Sequence, residues 1–413
     1  MRRYLIVFLA AALVPLAVLG SFNFLVDPYD THGAPEMPGL NEPKSHLNAN
    51  ERIYKTVRLA RDPAQIVLMG TSRTDRGLDP QDPAFAGSSV RNLAMQQQPY
   101  SEARALLEHI DPKVTRQILF GLDFFVANDL LERPQSISPD NFSATRGVRL
   151  LLAMSTIADS VSTVRHAHEG DALGTNRYSE DGLWNYDFRI HREGNRRAFL
   201  GSEAMYLRDL YLPAPMCRFA LDAPQTGTSQ MDELRAFLAR AYREDMDVRL
   251  FVSPSHARQW ETLAAAGLWP VWEQWKRMLV AMNEDEARKA GRAAFPLWDF
   301  SGYNAISTEA VPPLDDRSHL MRFYLDSSHY TPVAGHLVLQ RILHVASAQD
   351  ESRDGAGGPA GGFGVRLHSA NIERWLAQVR VDRARYRRSH PTDIADVDTL
   401  AYADLPARIC AHP

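Results

Sequence analysis

The sequence predicts an α/β fold with a central parallel sheet of about five strands, preceded by an N-terminal transmembrane helix. Two observations predict the sheet: five short apolar runs read as buried strands, the first of which ends in glycine, and helical segments alternate with these runs. The third observation is a long apolar run at the N-terminus. With 413 residues, 45% of them apolar, the chain is long enough for one large domain or two ordinary domains.

The N-terminus carries the clearest topological signal. In residues 1–26, Arg2 and Arg3 come first after the methionine, and an almost unbroken apolar run follows them. About 20 apolar residues suffice to span a bilayer, and the flanking arginines favour a cytoplasmic N-terminus. The prediction is therefore a single-pass anchor with the main domain on the exported, periplasmic side. The alternative is a cleaved signal peptide, since VLG precedes Ser21, but the apolar run continues past that point.

Five apolar runs are predicted to be the strands of the sheet. In chain order they are Gln65–Gly70, Val90–Met95, Arg116–Phe125, Asp247–Pro254 and Ala294–Gly302. Helices are predicted at Asn50–Ala60, Pro99–Ile110, Gly147–Val164, Met231–Tyr242, Trp260–Ala290 and Thr331–Ala346. Strands that alternate with helices in this way are typical of a parallel sheet covered on both faces.

The same pattern divides the chain into segments. Residues 27–64 are predicted to be a lead-in, and residues 65–348 the α/β domain, with an insertion at about 126–227 where the alternation breaks. Residues 349–365 are rich in glycine and predict a flexible linker. Residues 366–413 predict a basic helical tail. This tail either contacts an acidic membrane surface or an anionic polymer, or packs on the domain as a solvated helix.

Charge and cysteine content argue against two classes of protein. The formal net charge is −4, so nothing indicates a nucleic-acid partner. Cys217 and Cys410 are the two cysteines of the sequence, too few for a secreted disulfide scaffold. Whether they pair in an oxidising compartment or both stay thiols is left open by the sequence.

Ser72 follows the first predicted strand, in VLMGTSRTDRG. Open parallel sheets bind ligands at the carboxyl ends of their strands. A serine at such a turn has an exposed hydroxyl, and nearby backbone N–H groups can hold a developing oxyanion. A serine becomes a good nucleophile when a general base takes its proton. The alternative is that Ser72 merely caps the helix that follows.

Asp326 and His329 lie just before the last predicted helix, in DSSH. A histidine can take the proton of the serine, and an aspartate can hold the imidazole in the required tautomer. The alternatives are a turn cap and a surface histidine, or a metal site completed by His32, His46 or His256. No H-E-x-x-H motif and no clustered Cys/His spacing supports a metal site. Neither a metal nor another cofactor is therefore expected.

With GTS after the first strand and DSSH before the last helix, the sequence resembles the SGNH hydrolase superfamily, also called the GDSL-like family. The continuation YTPVAGH, with Pro332, Gly335 and His336, is similar to that of the family. The resemblance covers roughly Gln65–Val345 without the insertion. It implies a flavodoxin-like (SGNH-type) three-layer fold and a catalytic serine, aspartate and histidine.

The chain departs from the family pattern around the oxyanion site. Thr71 replaces the aspartate of G-D-S, the second strand lacks the family's glycine, and Asp123 stands where an asparagine is usual. An ionised Asp123 cannot donate a hydrogen bond to an oxyanion. Asn92, or the backbone near it, is therefore expected to replace one donor. Asp123 is expected to be either a structural acceptor at a strand end or a substrate contact.

Two further residues are candidates for substrate binding. Arg73 can bind an acidic sugar or a phosphate bidentately, or pair with a local carboxylate such as Asp75. His256, in SPSH after the fourth strand, is predicted to lie at the same edge of the sheet as Ser72. It is either a substrate contact or a structural histidine.

Two functions from different classes agree with these residues. The first is an exported, membrane-anchored serine esterase or O-acyl(acetyl)transferase that acts on a cell-envelope or secreted polysaccharide through an acyl-enzyme on Ser72. The resemblance extends to alginate and exopolysaccharide acetylation proteins and implies an acylated glycan and a membrane acyl-donor protein as partners. The second is a catalytically inactive component that binds carbohydrate or assists polysaccharide assembly.

Overall fold

A computed structural model of the protein describes residues 1–404, apart from 43, 45, 48, 134–136, 144, 170–176, 179–181, 186–193, 224–226 and 345–362. The chain divides into two compact units. The anchor unit comprises Met1–Pro63, Gln135–Glu180 and Trp184–Phe188. The sheet unit comprises Ala64–Pro134, Asp181–Leu183 and Arg189–Pro413.

The anchor unit contains one helix that is long and apolar enough to cross a membrane, Arg2–Val26. Its other helices are Glu51–Arg61, the 3₁₀ helix Pro139–Phe142, Arg146–Leu151 and Met154–Glu169, and a short antiparallel pair joins Arg177–Tyr178 to Trp184–Asn185. The predicted helix Gly147–Val164 is therefore two helices. The break frees the carbonyl of Leu151, which accepts a hydrogen bond from the Asn23 side chain at 2.8 Å.

The sheet unit is built on a mixed sheet of six strands. They are β1 (Ile66–Met69), β2 (Val90–Asn92), β3 (Gln117–Leu122), β4 (Asp247–Val252), β5 (Leu297–Asp299) and β6 (Val365–Arg366), in the order β2-β1-β3-β4-β5-β6. The first five strands are parallel, which confirms that part of the prediction, and β6 is antiparallel to β5. The expectation that the linker extends to residue 365 is wrong, because Val365 pairs with Asp299.

Helices flank the strands along the chain. They are Ser72–Gly77, Tyr100–Leu107, Asn195–Met205, Gln230–Arg243, Ala257–Ala265, Trp269–Lys289, Pro332–His344, Ile372–Ser389 and Pro391–Asp404, with 3₁₀ helices at Pro83–Phe85 and Phe124–Ala127 and a π-helix at Tyr206–Tyr211. The predicted helix Trp260–Ala290 is two helices. Gly267, with φ of +74°, ends the first, and Pro270 lies in the first turn of the second.

One hydrophobic cluster fixes the last helix of the sheet against the strands. Leu68, Leu119 and Phe251 project from β1, β3 and β4 and belong to the same buried cluster as Val338 and Leu339 of helix Pro332–His344. All five are almost completely buried. This packing matters for the site because the helix begins shortly after His329.

The predicted insertion at 126–227 does not form a single structural element. Part of it belongs to the anchor unit and part to the sheet unit. In the sheet unit, Asn195 donates to the main-chain oxygens of Tyr324 and Leu325, both at 3.3 Å. The segment lies between β3 and β4. Long-range contacts of this kind leave no local pattern in the sequence, so the sequence does not indicate which part of the segment packs in which unit.

The basic tail packs on the sheet unit through two helices. Leu376 and Val397 are buried, and Arg383 and Arg387 donate hydrogen bonds to the buried carboxylate of Glu261. Of the two alternatives for the tail, packing on the domain is therefore the observed one for the described residues. Cys217 takes part in a disulfide, whereas Cys410 lies outside the described residues.

Candidate active site

The parallel strands bring their carboxyl ends to one edge of the sheet. Gly70 follows β1, Asn92 ends β2, Asp123 follows β3 and His256 comes shortly after β4. The four residues therefore lie at the same edge, as expected from the sequence. The chain passes from β1 outward to β2 and then back to β3 on the other side. Ligands of open α/β sheets bind where the strand order reverses in this way.

A sharp turn after β1 places Ser72 at this edge. Gly70 has a φ of +143°, and a Cβ there would stand 2.5 Å from the hydroxyl oxygen of Thr74, so the turn requires glycine. Thr71 caps helix Ser72–Gly77, since its hydroxyl oxygen accepts the N–H of Arg73 at 3.3 Å. The interpretation of Ser72 as the helix cap is therefore wrong.

Ser72, His329 and Asp326 form one chain of hydrogen bonds. The Oγ of Ser72 lies 2.9 Å from Nε2 of His329, and Nδ1 of His329 lies 2.8 Å from Oδ2 of Asp326. When Nδ1 carries the proton, it donates to the carboxylate and leaves Nε2 to accept the serine hydroxyl. The arrangement lets His329 remove a proton from Ser72.

A tight turn fixes the positions of Asp326 and His329 relative to each other. The second carboxylate oxygen of Asp326 accepts the N–H groups of Ser328 and His329 at 2.8 and 2.9 Å. The N–H of Leu325 donates to the carbonyl of His329 at 2.9 Å. The D-x-x-H spacing thus lets one carboxylate cap the turn and orient the imidazole at the same time.

The surroundings of the two side chains keep Asp326 ionised and His329 neutral. Burial alone would raise the pKa of Asp326, but the positive charge that His329 carries at low pH, its hydrogen bond and the charge of Arg76 hold that pKa well below its ordinary value. Burial and the charge of Arg76 lower the pKa of His329, and Asp326 opposes them only in part. The imidazole is therefore neutral at neutral pH, as a general base must be.

Arg73 and Asp123 form a buried ion pair beside the serine. Nη1 of Arg73 lies 2.8 Å from Oδ1 of Asp123, and the hydroxyl of Thr71 donates to the other carboxylate oxygen at 2.6 Å. Arg73 also donates to the hydroxyl oxygens of Ser328 at 3.0 Å and Tyr206 at 3.2 Å. Arg73 pairs with Asp123 and not with Asp75 as suggested by the sequence. Because both charged groups are buried, they act as structural partners in this state.

The amide of Asn92 is occupied by the helix that carries Ser72. Its nitrogen donates to the main-chain oxygens of Thr74, at 3.2 Å, and Leu78, at 3.1 Å, while its oxygen accepts the N–H of Ala94 at 3.1 Å. Asn92 is completely buried. In this structure the amide holds the end of the helix that carries Ser72, which argues against the expectation that its side chain donates to an oxyanion.

His256 is a structural histidine. It caps helix Ala257–Ala265, with Nδ1 accepting the N–H of Arg258 at 3.2 Å, while Nε2 lies 2.7 Å from the carbonyl of Glu309. Burial lowers its pKa to about 4. Its main-chain N–H donates to the carbonyl of Ser327 at 3.0 Å, so His256 helps to position the D-x-x-H turn without lining the site.

Three residues of the site were not predicted from the sequence. Ser328 and Tyr206 share a hydrogen bond of 2.7 Å and both accept from Arg73. Arg76 places its charge near Asp326 and His329. The spacing of four residues between Ser72 and Arg76, which puts both on one helix face, is the signal that could have identified Arg76. Tyr206 comes from the segment predicted to be an insertion and has no such signal.

The site combines a serine hydroxyl, a neutral imidazole and an ionised carboxylate in one chain of hydrogen bonds. In the described part of the chain, no group of three or more His, Cys, Asp or Glu is arranged to hold a metal ion. No family model, curated protein or solved structure matches the chain.

Proposed function

We propose that the protein is an exported, membrane-anchored serine esterase or O-acyltransferase of the SGNH type. The observation that carries the proposal is the hydrogen-bonded chain from Ser72 through His329 to Asp326 at the carboxyl edge of the sheet. The hydrogen bond between Ser72 and His329 is short enough for proton transfer, and the one between His329 and Asp326 is short enough to orient the imidazole ring.

The reaction follows from the positions of these atoms. His329 takes the proton of Ser72 as the serine oxygen attacks the carbonyl carbon of an acyl ester, and the Asp326 carboxylate stabilises the resulting imidazolium. Collapse of the tetrahedral intermediate expels the alcohol, which receives the proton from His329, and leaves an acyl group on Ser72. Attack by water then gives an esterase, whereas attack by a sugar hydroxyl gives a transferase. The N–H of Ser72, first in its helix and without a partner inside it, is the proposed oxyanion donor.

The topology supports the SGNH-type assignment. The order β2-β1-β3-β4-β5 is the one that flavodoxin-like folds use. The serine follows β1, and the D-x-x-H turn precedes helix Pro332–His344, which agrees with the motif positions of that superfamily.

Two of the three departures from the family pattern are in contact. Thr71, in place of aspartate, donates its hydroxyl to Asp123, in place of asparagine. Asp123 in turn neutralises Arg73. Thr71, Asp123 and Arg73 therefore form one connected set of buried polar contacts beside Ser72, and the hydrogen bond between Ser72 and His329 is made in its presence at 2.9 Å.

The location supports a polysaccharide as substrate. Helix Arg2–Val26 can span a membrane, and a disulfide at Cys217 is typical of an oxidising compartment. An acyl-transfer enzyme held on the exported side of a membrane meets envelope and secreted glycans, and a membrane protein is the proposed source of acyl groups for the transferase reaction.

A second candidate function has one observation in its favour. The amide of Asn92 is engaged within the structure, and Asp123 is an acceptor, so neither predicted side chain can stabilise an oxyanion. A chain that has lost this stabilisation would keep the fold as a carbohydrate-binding or assembly component. The difference between the two functions is whether Ser72 is reactive.

The test is covalent labelling of the full chain with a fluorophosphonate probe. The enzyme proposal expects labelling on Ser72, no labelling of Ser72→Ala, and unchanged labelling of Ser318→Ala, a control at an exposed serine. A native chain that is folded and yet stays unlabelled would contradict the proposal and favour the second candidate.

A further inference from the structure

The anchor unit exposes a cluster of large apolar side chains outside the membrane-spanning helix. The members of this apolar patch are Val148, Leu152, Met154 and Val161, which are 59%, 44%, 75% and 46% exposed. All four belong to helices Arg146–Leu151 and Met154–Glu169 or to the turn between them. Apolar side chains grouped on a surface usually mark contact with a membrane or another protein.

The apolar patch is continuous with the membrane-spanning helix. The Asn23 side chain donates to the carbonyl of Leu151 at 2.8 Å and accepts the hydroxyl of Ser160 at 2.9 Å. A Cβ at Gly20 would stand 3.6 Å from Cδ2 of Leu152, which is ordinary van der Waals contact. The two helices therefore pack on the C-terminal turns of the spanning helix, and they satisfy its buried amide as membrane interiors require.

The depth of this contact follows from helix geometry. The hydrocarbon core of a bilayer takes about 20 helical residues. Counted from Tyr4, where the apolar run begins, such a span ends near Asn23. Gly20 precedes that point by about one turn. Leu152, which lies against Gly20, is therefore at the depth of the lipid acyl chains.

The exposed stripe of helix Met154–Glu169 changes in character along its length. Met154, Ala158 and Val161 are exposed at helical spacing, and Arg165 and His168 continue the same stripe. An apolar start followed by a basic end fits an element that leaves the hydrocarbon and meets phosphate headgroups. The change from apolar to basic residues therefore places the start of this helix deeper in the bilayer than its end, in agreement with the contacts between Leu152 and the spanning helix.

We infer that residues 146–161 form a second membrane-contact element in the leaflet where the spanning helix ends, with Leu152 and Met154 inserted among the acyl chains and the rest of the apolar patch at their boundary with the headgroups. The inference rests on the proposed membrane anchoring. Two contacts with the bilayer, one spanning and one inserted, fix the tilt and the rotation of the anchor unit, which a single helix on a free tether cannot do.

The test measures depth in the bilayer with the full chain in lipid nanodiscs. A fluorophore is attached at Leu13→Cys in the spanning helix, at Met154→Cys in the apolar patch, or at His168→Cys at the basic end. Quenching by nitroxides on the acyl chains is compared with quenching by nitroxides on the headgroups. The unsubstituted chain, treated with the same reagent, measures labelling of the native cysteines.

The expected result is stronger quenching from the acyl chains than from the headgroups at positions 13 and 154, and the reverse at position 168. If position 154, like position 168, is quenched more strongly from the headgroups while position 13 is quenched from the acyl chains, the inference is wrong and the membrane anchoring by the spanning helix is supported. If position 13 is not quenched from the acyl chains, the anchoring itself fails. A shielded position 154 that neither nitroxide reaches would indicate a protein partner and would also overturn the inference.

Discussion

Gly335 lies directly against the carbonyl oxygen of Gly77, so closely that a Cβ at position 335 would stand 1.7 Å from that oxygen. The contact joins the end of helix Ser72–Gly77 to the first turn of helix Pro332–His344. The first helix begins with Ser72, and the second begins shortly after His329. The close approach of their backbones therefore sets the distance between Ser72 and His329.

The substitution Gly335→Ala tests this relationship. The added methyl group must push the two helices apart, because backbone atoms cannot yield as a flexible side chain can. We expect a loss of stability of about 1–3 kcal/mol and a fall in activity of tenfold or more, since a shift of about 1 Å in a catalytic distance has large effects. Gly201→Ala is the control, because nothing lies within 4 Å of a Cβ at that helical position. Thermal unfolding measures the stability of the two variants, and ester hydrolysis measures their activity. Full activity in Gly335→Ala would contradict the proposed role of this contact.

Ser72 and His329 are expected to act as a unit. Ser72→Ala and His329→Ala should each lower kcat for a model acetyl ester by about a thousandfold or more, because each removes one half of the proton transfer. The double variant should be hardly worse than either single variant. Steady-state kinetics with protein purified in parallel provides the measurement. Multiplicative losses in the double variant would show that the two residues work independently.

The pH dependence of activity should report the environment of His329. Its pKa is lowered by burial and by the charge of Arg76, and activity requires the neutral imidazole. Activity is thus full above this pKa and is lost as the pH falls through it, so the acid limb of kcat/KM should lie below about pH 6.5, the ordinary value for histidine. Arg76→Gln should raise the pKa and move the limb to higher pH, whereas Arg76→Lys keeps the charge and should leave the limb in place. Equal shifts in the two variants would refute the electrostatic cause.

The ion pair between Arg73 and Asp123 should be needed for stability. Asp123→Asn leaves the buried guanidinium of Arg73 without its counter-charge, and breaking a buried pair on one side costs about 3–5 kcal/mol. The double variant Arg73→Met with Asp123→Leu should recover part of this loss, because no unpaired charge remains. Chemical unfolding of the native protein, Arg73→Met, Asp123→Leu and their double variant forms a double-mutant cycle, with Asp123→Asn measured beside it. A stable Asp123→Asn protein with a raised KM would instead assign Asp123 to substrate binding.

The amide of Asn92 should act through the position of the nucleophile helix. Asn92→Ala leaves the carbonyls of Thr74 and Leu78 without these buried donors, which should cost about 1–3 kcal/mol in the free energy of unfolding. We expect kcat to fall along with stability, while KM changes little. If kcat falls and stability is unchanged, the amide serves the oxyanion directly and the structural role is wrong.

Hydrophobic patterning predicts the parallel strands well because each of them is buried. The third apolar run, predicted at Arg116–Phe125, contains the observed strand Gln117–Leu122, five of whose six residues are buried. The strand Val365–Arg366 was not predicted because two residues carry no periodicity. It exists because β5 leaves one edge unpaired, which is a property of the folded sheet and not of the local sequence.

The site follows the same division between local and distant information. The sequence predicts that Ser72, Asp326 and His329 lie together, as they do in the structure, because residue type and position relative to strands and helices suffice for that prediction. The partner of Arg73 was not predicted, because the sequence suggests the neighbouring Asp75, whereas the true partner is Asp123, fifty residues away. The role of Asn92 depends on similar contacts, which form when β1 and β2 pair.

The helices Ile372–Ser389 and Pro391–Asp404 have a consequence for truncated variants. The guanidinium of Arg258 has a buried partner in Glu203, whereas the buried carboxylate of Glu261 receives its two arginine partners, Arg383 and Arg387, from the first of these helices. A variant that ends before Ile372 leaves that carboxylate without both arginines, and the loss of one side of a buried ion pair costs about 3–5 kcal/mol. The truncated sheet unit should therefore open more often and be cut faster by proteases than the full chain.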